Sequence, residues 1–116
     1  MSEHAETWRQ YYEKSMRRKH NPRTEFAVRL NESNAKVAVD CGCGTGADIA
    51  YFEQVAYQVF AFDVNPDSVD ICKERFASKA LVDIECASFD SFAFPRAGVI
   101  TANSSLFFAH AATFLQ

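Results

Sequence analysis

The residues best suited to chemistry lie between Val37 and Asp48. A β-branched run, Val37-Ala38-Val39, ends in Asp40, and Gly42, Gly44 and Gly46 then alternate with Cys41, Cys43 and Thr45. Beyond them Asp48 is followed by Ile49, Phe52 and Val55 at helical spacing. The pattern reads as strand, tight glycine turn and helix N-terminus. Glycine supplies the backbone angles such a turn needs and lets a ligand approach bare backbone. The unpaired N–H groups of a helix start point at that ligand. Asp40 adds a carboxylate facing the same place.

A second acid repeats the arrangement. Gln58-Val59-Phe60-Ala61-Phe62-Asp63 reads as a strand, and Asn65-Pro66-Asp67 opens the next helix with Asn as cap and Pro at the first position. A carboxylate at a strand tip accepts bonds from two vicinal hydroxyls and rejects a phosphate, so Asp63 is placed to hold a ribose. Val64, next in line, is placed to lie against an adenine face. Residues 81–86 read as a third strand, followed by a loop through Ala87, Ser88, Phe89 and Asp90. Residues 97–103 read as an apolar fourth strand with Asn103 at its tip. Open α/β sheets bind ligands outside the C-terminal ends of their strands. Asp40, Asp63, the 87–90 loop and Asn103 therefore converge on one rim.

Two ligand classes use such a turn. Gly42, Gly44 and Ala47 fit the G-x-G-x-x-G/A form of dinucleotide enzymes. Asp40-Cys41-Gly42-Cys43-Gly44-Thr45-Gly46 fits the acid-x-Gly-x-Gly-x-Gly form of S-adenosylmethionine (SAM) dependent methyltransferases. Asp40 favours the second, because a carboxylate there repels a pyrophosphate and suits the cationic amino group of SAM. A turn that binds nothing would not need three glycines in five residues. The chain thus resembles a class I SAM-dependent methyltransferase from about Trp8 onward. In style it is similar to small tellurite-resistance and thiopurine-type enzymes, which methylate small or soft nucleophiles.

The resemblance implies roles for particular residues. Gly42, Gly44 and Gly46 would line the methionine and ribose part of SAM. Asp40 would bind its amino group, directly or through water, and Asp63 its ribose hydroxyls. Ser88, Phe89 and Asp90 would meet adenine. Many family members carry a Gly-acid pair where Ala87-Ser88 stands, so either Ser88 or Asp90 takes the contact to the adenine amino group. Strand four ends in Asn103-Ser104-Ser105-Leu106, unlike the Asn-Pro-Pro-aromatic pattern of enzymes that methylate adenine or amides. That lowers the nucleic-acid reading. No general base is evident, and methyl transfer from a sulfonium needs mainly alignment and desolvation.

The implied architecture is α/β, a Rossmann-like three-layer sandwich. Its mostly parallel sheet has about four strands in the order 3-2-1-4, with an N-terminal helical segment over residues 3–19. That segment carries an aromatic stripe of Trp8, Tyr11, Tyr12 and Met16 that packs on the fold or acts as a lid. Thr24 is placed to cap a short second helix with Phe26, Ala27 and Leu30 on one face, and residues 106–115 begin a further helix. The family's sheet has seven strands, so at 116 residues the chain reads as one domain shortened after strand four. Strand four would then be an open apolar edge able to pair with a second copy.

Composition narrows the class further. The net charge is −3, which argues against a broad nucleic-acid surface. No run approaches the ~20 apolar residues of a membrane span. The N-terminus lacks the apolar stretch of a signal peptide. The four cysteines, at 41, 43, 72 and 86, lack metal-ligand spacing and read as reduced thiols of a cytoplasmic protein. The expectation is an enzyme with SAM as cofactor, no metal, and a small-molecule acceptor. The rivals are an NAD-type oxidoreductase and a non-catalytic binding module that works by association.

Overall fold

The computed structural model describes Gln10, Glu13, Lys14 and residues 17–103. The stripe of Trp8, Tyr11, Tyr12 and Met16 and the expected helix at 106–115 lie outside the described residues. Gln10, Glu13 and Lys14 are helical, in keeping with the helix read over 3–19.

Each strand forms where β-branched and aromatic residues cluster: β1 is Val37–Cys41, β2 Gln58–Asp63, β3 Val82–Cys86 and β4 Val99–Thr101. All pairings are parallel and the order is β3-β2-β1-β4, as the sequence implies. Parallel neighbours need crossover connections, and helices supply two of them. α2, Ala47–Gln54, links β1 to β2, and α3, Pro66–Arg75, links β2 to β3. α1, Pro22–Leu30, precedes the sheet and lies near β4.

The start of α1 corrects one expectation. Asn21, not Thr24, is the cap: its side chain accepts from the Arg23 N–H, and Pro22 takes the first helical position. Thr24 sits a turn inside and is wholly buried. Ala27 and Val28 pack on the core, while Phe26 and Leu30 point outward.

Side chains alternate across the sheet. Ala38, Val59, Ala61, Ile84 and Val99 face the helices, meeting Ile49 and Phe52 of α2 and Val69 and Cys72 of α3. Full burial of a side chain such as Phe52 or Ile49 contributes about 1.5–3 kcal/mol. The other face carries Val39, Cys41 and Phe62. There the described cover is the loop after β3. Phe92 stacks on Phe62 at 4.4 Å, and Phe89 and Phe94 meet Phe62 edge-on at 5.4 and 5.7 Å. The described residues therefore form two of the three expected layers.

β4 is shorter than expected, three residues in place of 97–103. Its tip leaves the sheet because Asn103 turns toward α1 and α2, as described below. Among the described strands β4 lies at the edge of the sheet, and its Ile100 is 57% exposed.

Candidate active site at the strand tips

The parallel register brings the strand ends level. Asp40 lies opposite Ala61 and Thr101, Cys41 opposite Phe62, and Asp63 opposite Cys86. The glycine turn leaves β1 at this level. Gly42 and Cys43 both donate to the carbonyl of Phe62, at 2.8 and 3.1 Å, so the turn folds over the end of β2.

The three turn glycines all have positive φ but serve different ends. Gly46 caps α2 in a left-handed conformation at φ 98°, and a Cβ there would meet Phe76 Cε2 at 2.6 Å. Gly46 thus lets α2 start close against α3, and its N–H is taken by the carbonyl of Cys43 at 3.0 Å. Gly44, at φ 56°, is the opposite case: a Cβ there would find nothing within 4 Å. The open side of the turn is therefore at Gly44. α3 holds the turn from behind, with Cys72 Sγ donating to the Gly44 carbonyl at 3.1 Å and Arg75 Nη1 to the Thr45 carbonyl at 2.8 Å.

Asp63 stands beside that open side. Its Oδ2 accepts from the Gly44 N–H and its Oδ1 from the Asn65 N–H, both at 2.9 Å. A carboxylate offers about four acceptor sites, so both oxygens retain capacity for a diol. Val64 is 67% exposed, an apolar residue left bare next to this acid. The Ala87 N–H donates to the Asp63 carbonyl at 3.0 Å, which draws the 87–90 loop to the same rim. Within that loop the Ser88 hydroxyl engages Ser91, closing a small turn. The Phe89 ring packs edge-on against Phe62 at 5.4 Å and anchors the loop. Asp90 is exposed.

Asp40 is placed more deeply than its motif suggests. It is 3% exposed, and the Thr101 hydroxyl donates to its Oδ1 at 3.0 Å. Burial pushes its carboxyl up to about 8; Asp48 and Asp63 push the same way, and only the Thr101 bond opposes them. Cys41, buried beside Asp40, is pushed up to about 12, chiefly by burial. Cys43, 3.9 Å from Cys72 sulfur to sulfur, is also pushed up, first by that contact and then by burial. All four cysteines are free thiols, Cys86 being the exposed one.

Asn103 does reach the rim, but its amide is engaged. Nδ2 donates to Thr24 Oγ1 and to Asp48 Oδ2, both at 2.9 Å. Asp48 Oδ1 in turn accepts from the Asn21 N–H at 2.9 Å. One carboxylate thus ties together the cap of α1, the first turn of α2 and the tip of β4. Sequence reasoning saw Asp48 only as a helix-start residue and missed Thr24 and Thr101 as partners. Their partners lie far away in the chain, and no local signal marks them. Among the described residues no cluster of His, Cys, Asp and Glu is arranged to hold a metal ion, and no helix is long and apolar enough to cross a membrane.

A parallel sheet with a glycine turn and two acids at its C-terminal rim defines a Rossmann-like domain. More narrowly, residues 38–115 match the family described as "Methyltransferase domain", and the chain belongs to that family. No curated protein sequence matches the chain. Solved structures share its fold. A protein of Methanococcus maripaludis described as a SAM-dependent methyltransferase superposes with a TM-score of 0.68 at 19% identity, covering 79% of this chain and 45% of that one. TehB from Haemophilus influenzae gives 0.67 at 17% identity, covering 81% and 33%. An RNA methyltransferase from Salinibacter ruber, in complex with S-adenosyl-L-homocysteine, gives 0.61 at 17% identity, covering 73% and 59%. The chain thus spans between a third and three-fifths of the length of these neighbours.

Proposed function

We propose that the chain binds S-adenosylmethionine at the strand tips and takes part in methyl transfer to a small-molecule acceptor, soft nucleophiles included. The observation that carries this reading is the open space at Gly44 beside the Asp63 carboxylate. The residues fit such a cofactor. Gly44 leaves room for it against bare backbone, Asp63 has acceptors for a ribose diol, and Val64 offers an apolar surface for adenine. Asp40 places a buried carboxyl toward the amino-acid end. Gly46 supports this site from below. Asn103, tied to Asp48 and Thr24, fixes the tip of β4 as its wall.

Bound there, the cofactor supplies a methyl group on a cationic sulfur. The chain's own contribution is to orient it, through the Asp63 carboxylate and the turn, and to shield it from water along the buried strand ends. Asp40, Asp48 and Asp63 crowd one rim with acid, which disfavours a phosphate backbone as acceptor. A cytoplasmic location accords with the free thiols.

Calorimetric titration with S-adenosylhomocysteine, run beside NAD, tests the cofactor. Micromolar binding of the first alone supports the proposal; preference for NAD contradicts it and favours the oxidoreductase reading.

A further inference from the structure

Two thiols meet behind the glycine turn. Cys43 lies within the turn, between Gly42 and Gly44, and Cys72 lies within α3. Their sulfurs are 3.9 Å apart and both side chains are buried. The proton of Cys72 goes to the Gly44 carbonyl, 3.1 Å away, so Cys43 is the donor between the two sulfurs. A Cβ on Gly46 would also meet Cys72 Sγ, at 3.3 Å. One sulfur of α3 is thus lodged under the stretch of turn from Cys43 to Gly46. The two sides of the contact differ in stiffness. Cys72 is fixed in a helix, its carbonyl held by the Phe76 N–H at 2.9 Å. Cys43 is flanked by glycines at φ 71° and 56°, residues whose backbone angles change readily.

We propose, resting on the cofactor reading above, that Cys43 and Cys72 form a reversible disulfide that weakens the hold of the turn on its cofactor. The oxidant is a low-molecular-weight disulfide. One cysteine attacks it as the thiolate, giving a mixed disulfide and one released thiol, and the second cysteine then displaces the other thiol. In sum, two cysteine thiols and one disulfide give the Cys43–Cys72 bond and two released thiols, and the two electrons lost by the protein pass to the oxidant. Forming the bond draws the sulfurs from 3.9 Å to about 2.05 Å. The glycine-flanked side gives way, so the turn moves toward α3. Cys72 also loses the proton that it donates to the Gly44 carbonyl. Both changes act on Gly44, whose N–H is aligned with Asp63 at 2.9 Å and whose open side admits the cofactor. Oxidation therefore lowers cofactor affinity, and by reciprocity a bound cofactor opposes oxidation. The closed turn shields the pair. Cys43 is 7% exposed and Cys72 0%, and the contact with Cys72 together with burial pushes the Cys43 thiol up. Reaction passes through a local opening of the turn, which a ligand over Gly44 holds closed.

The test uses the full chain carrying Cys86→Ser, which removes the exposed thiol. The chain is treated with glutathione disulfide, with and without saturating S-adenosylhomocysteine, then alkylated and mapped by peptide mass. The expected result is a Cys43–Cys72 link in the free chain, formed more slowly with the ligand present and undone by dithiothreitol. Calorimetric titration of the linked chain should show affinity for S-adenosylhomocysteine lowered about tenfold or more, a usual size of coupling between sites, and restored by reduction. Cys43→Ala and Cys72→Ala should each form no link and keep, after the oxidant, the affinity they had before it. A free chain that forms no Cys43–Cys72 link overturns the inference, as does a linked chain that binds as tightly as the reduced one. In both cases binding by the reduced chain leaves the cofactor reading standing. A loss of affinity that persists in Cys43→Ala belongs to another thiol and also overturns the inference. Absence of binding by the reduced chain overturns the cofactor reading and the switch together.

Discussion

The carboxylate of Asp63 reaches across the turn to the N–H of Gly44, 2.9 Å away, joining the tip of β2 to a point of the glycine turn where a Cβ would meet nothing within 4 Å. Nineteen residues separate the two in the chain. The bond aligns an acid that can hold a ribose with the stretch of backbone that can admit the rest of the cofactor. Because Oδ1 of the same group holds the Asn65 N–H, one side chain also sets the start of α3, and α3 returns through Cys72 and Arg75 to brace the turn. The site is thus a closed loop of supports around one gap.

Asp63→Ala should remove both the ribose acceptor and the brace. The expected loss in S-adenosylhomocysteine affinity is about 1.5–3 kcal/mol, the scale of a hydrogen bond to a charged group. Isothermal titration measures it. Affinity equal to that of the parent chain would place the ribose elsewhere.

The turn glycines should separate binding from folding. Gly44→Val projects its side chain into open space at φ 56°, so binding should be lost while the fold survives with a backbone penalty of about 1–2 kcal/mol. Gly46→Ala places its Cβ 2.6 Å from Phe76 at φ 98°. It should destabilise by about 2–5 kcal/mol through strain and overpacking. Urea denaturation and ligand titration on both variants check the contrast; equal stability of the two would contradict it.

Asp40 should make stability fall with rising pH. Its folded value, raised from 3.8 to about 8, means that the folded chain keeps a proton the unfolded chain releases. That contribution is complete below the unfolded value and is lost as pH rises through the folded one. Asp40→Asn should therefore gain on the parent from pH 4 to pH 8 and level off above, by on the order of a few kcal/mol. Melting temperatures of both proteins across that range read it out. A constant difference between them would mean that Asp40 titrates as an ordinary exposed acid.

The Asp48 knot should matter to structure around the rim. Asn103→Ala leaves Thr24 Oγ1 and Asp48 Oδ2 without their shared donor, at a cost of about 1–3 kcal/mol for the buried group. Amide exchange should rise at Asn21 and along the start of α1. Unchanged protection there would show that other contacts hold α1 to the sheet.

Much of this was legible in the sequence because it is local. The glycine turn, the two strand-ending acids and the Asn65-Pro66 helix start are short patterns whose geometry follows from residue type. The shared rim followed from the rule that open α/β sheets bind ligands at their C-terminal strand ends, and the strand order came with the resemblance to the methyltransferases. What escaped was tertiary. Thr24 resembles a cap, yet Asn21 with Pro22 behind it does that work, and burial reserves Thr24 for Asn103. Gly46 fits the glycine motif of the turn, and only the packing of Phe76 shows that it also lets α2 start close against α3. Asp40 reads as a charged ligand group, but its depth and its acidic neighbours appear only when β2, β4 and α2 are assembled around it. Phe89 reads as part of an adenine loop, and its ring packs on Phe62 at the sheet face away from α2 and α3.

The most direct measurement is the amide NMR spectrum of the labelled chain during titration with S-adenosylhomocysteine. If the cofactor sits over Gly44, the largest shifts fall at Gly42, Gly44, Val64 and Ser88, with little change at Phe26 and Leu30, which point outward from α1. Saturating ligand that leaves Gly44 and Val64 unmoved, or shifts that cluster away from the strand tips, would contradict the account.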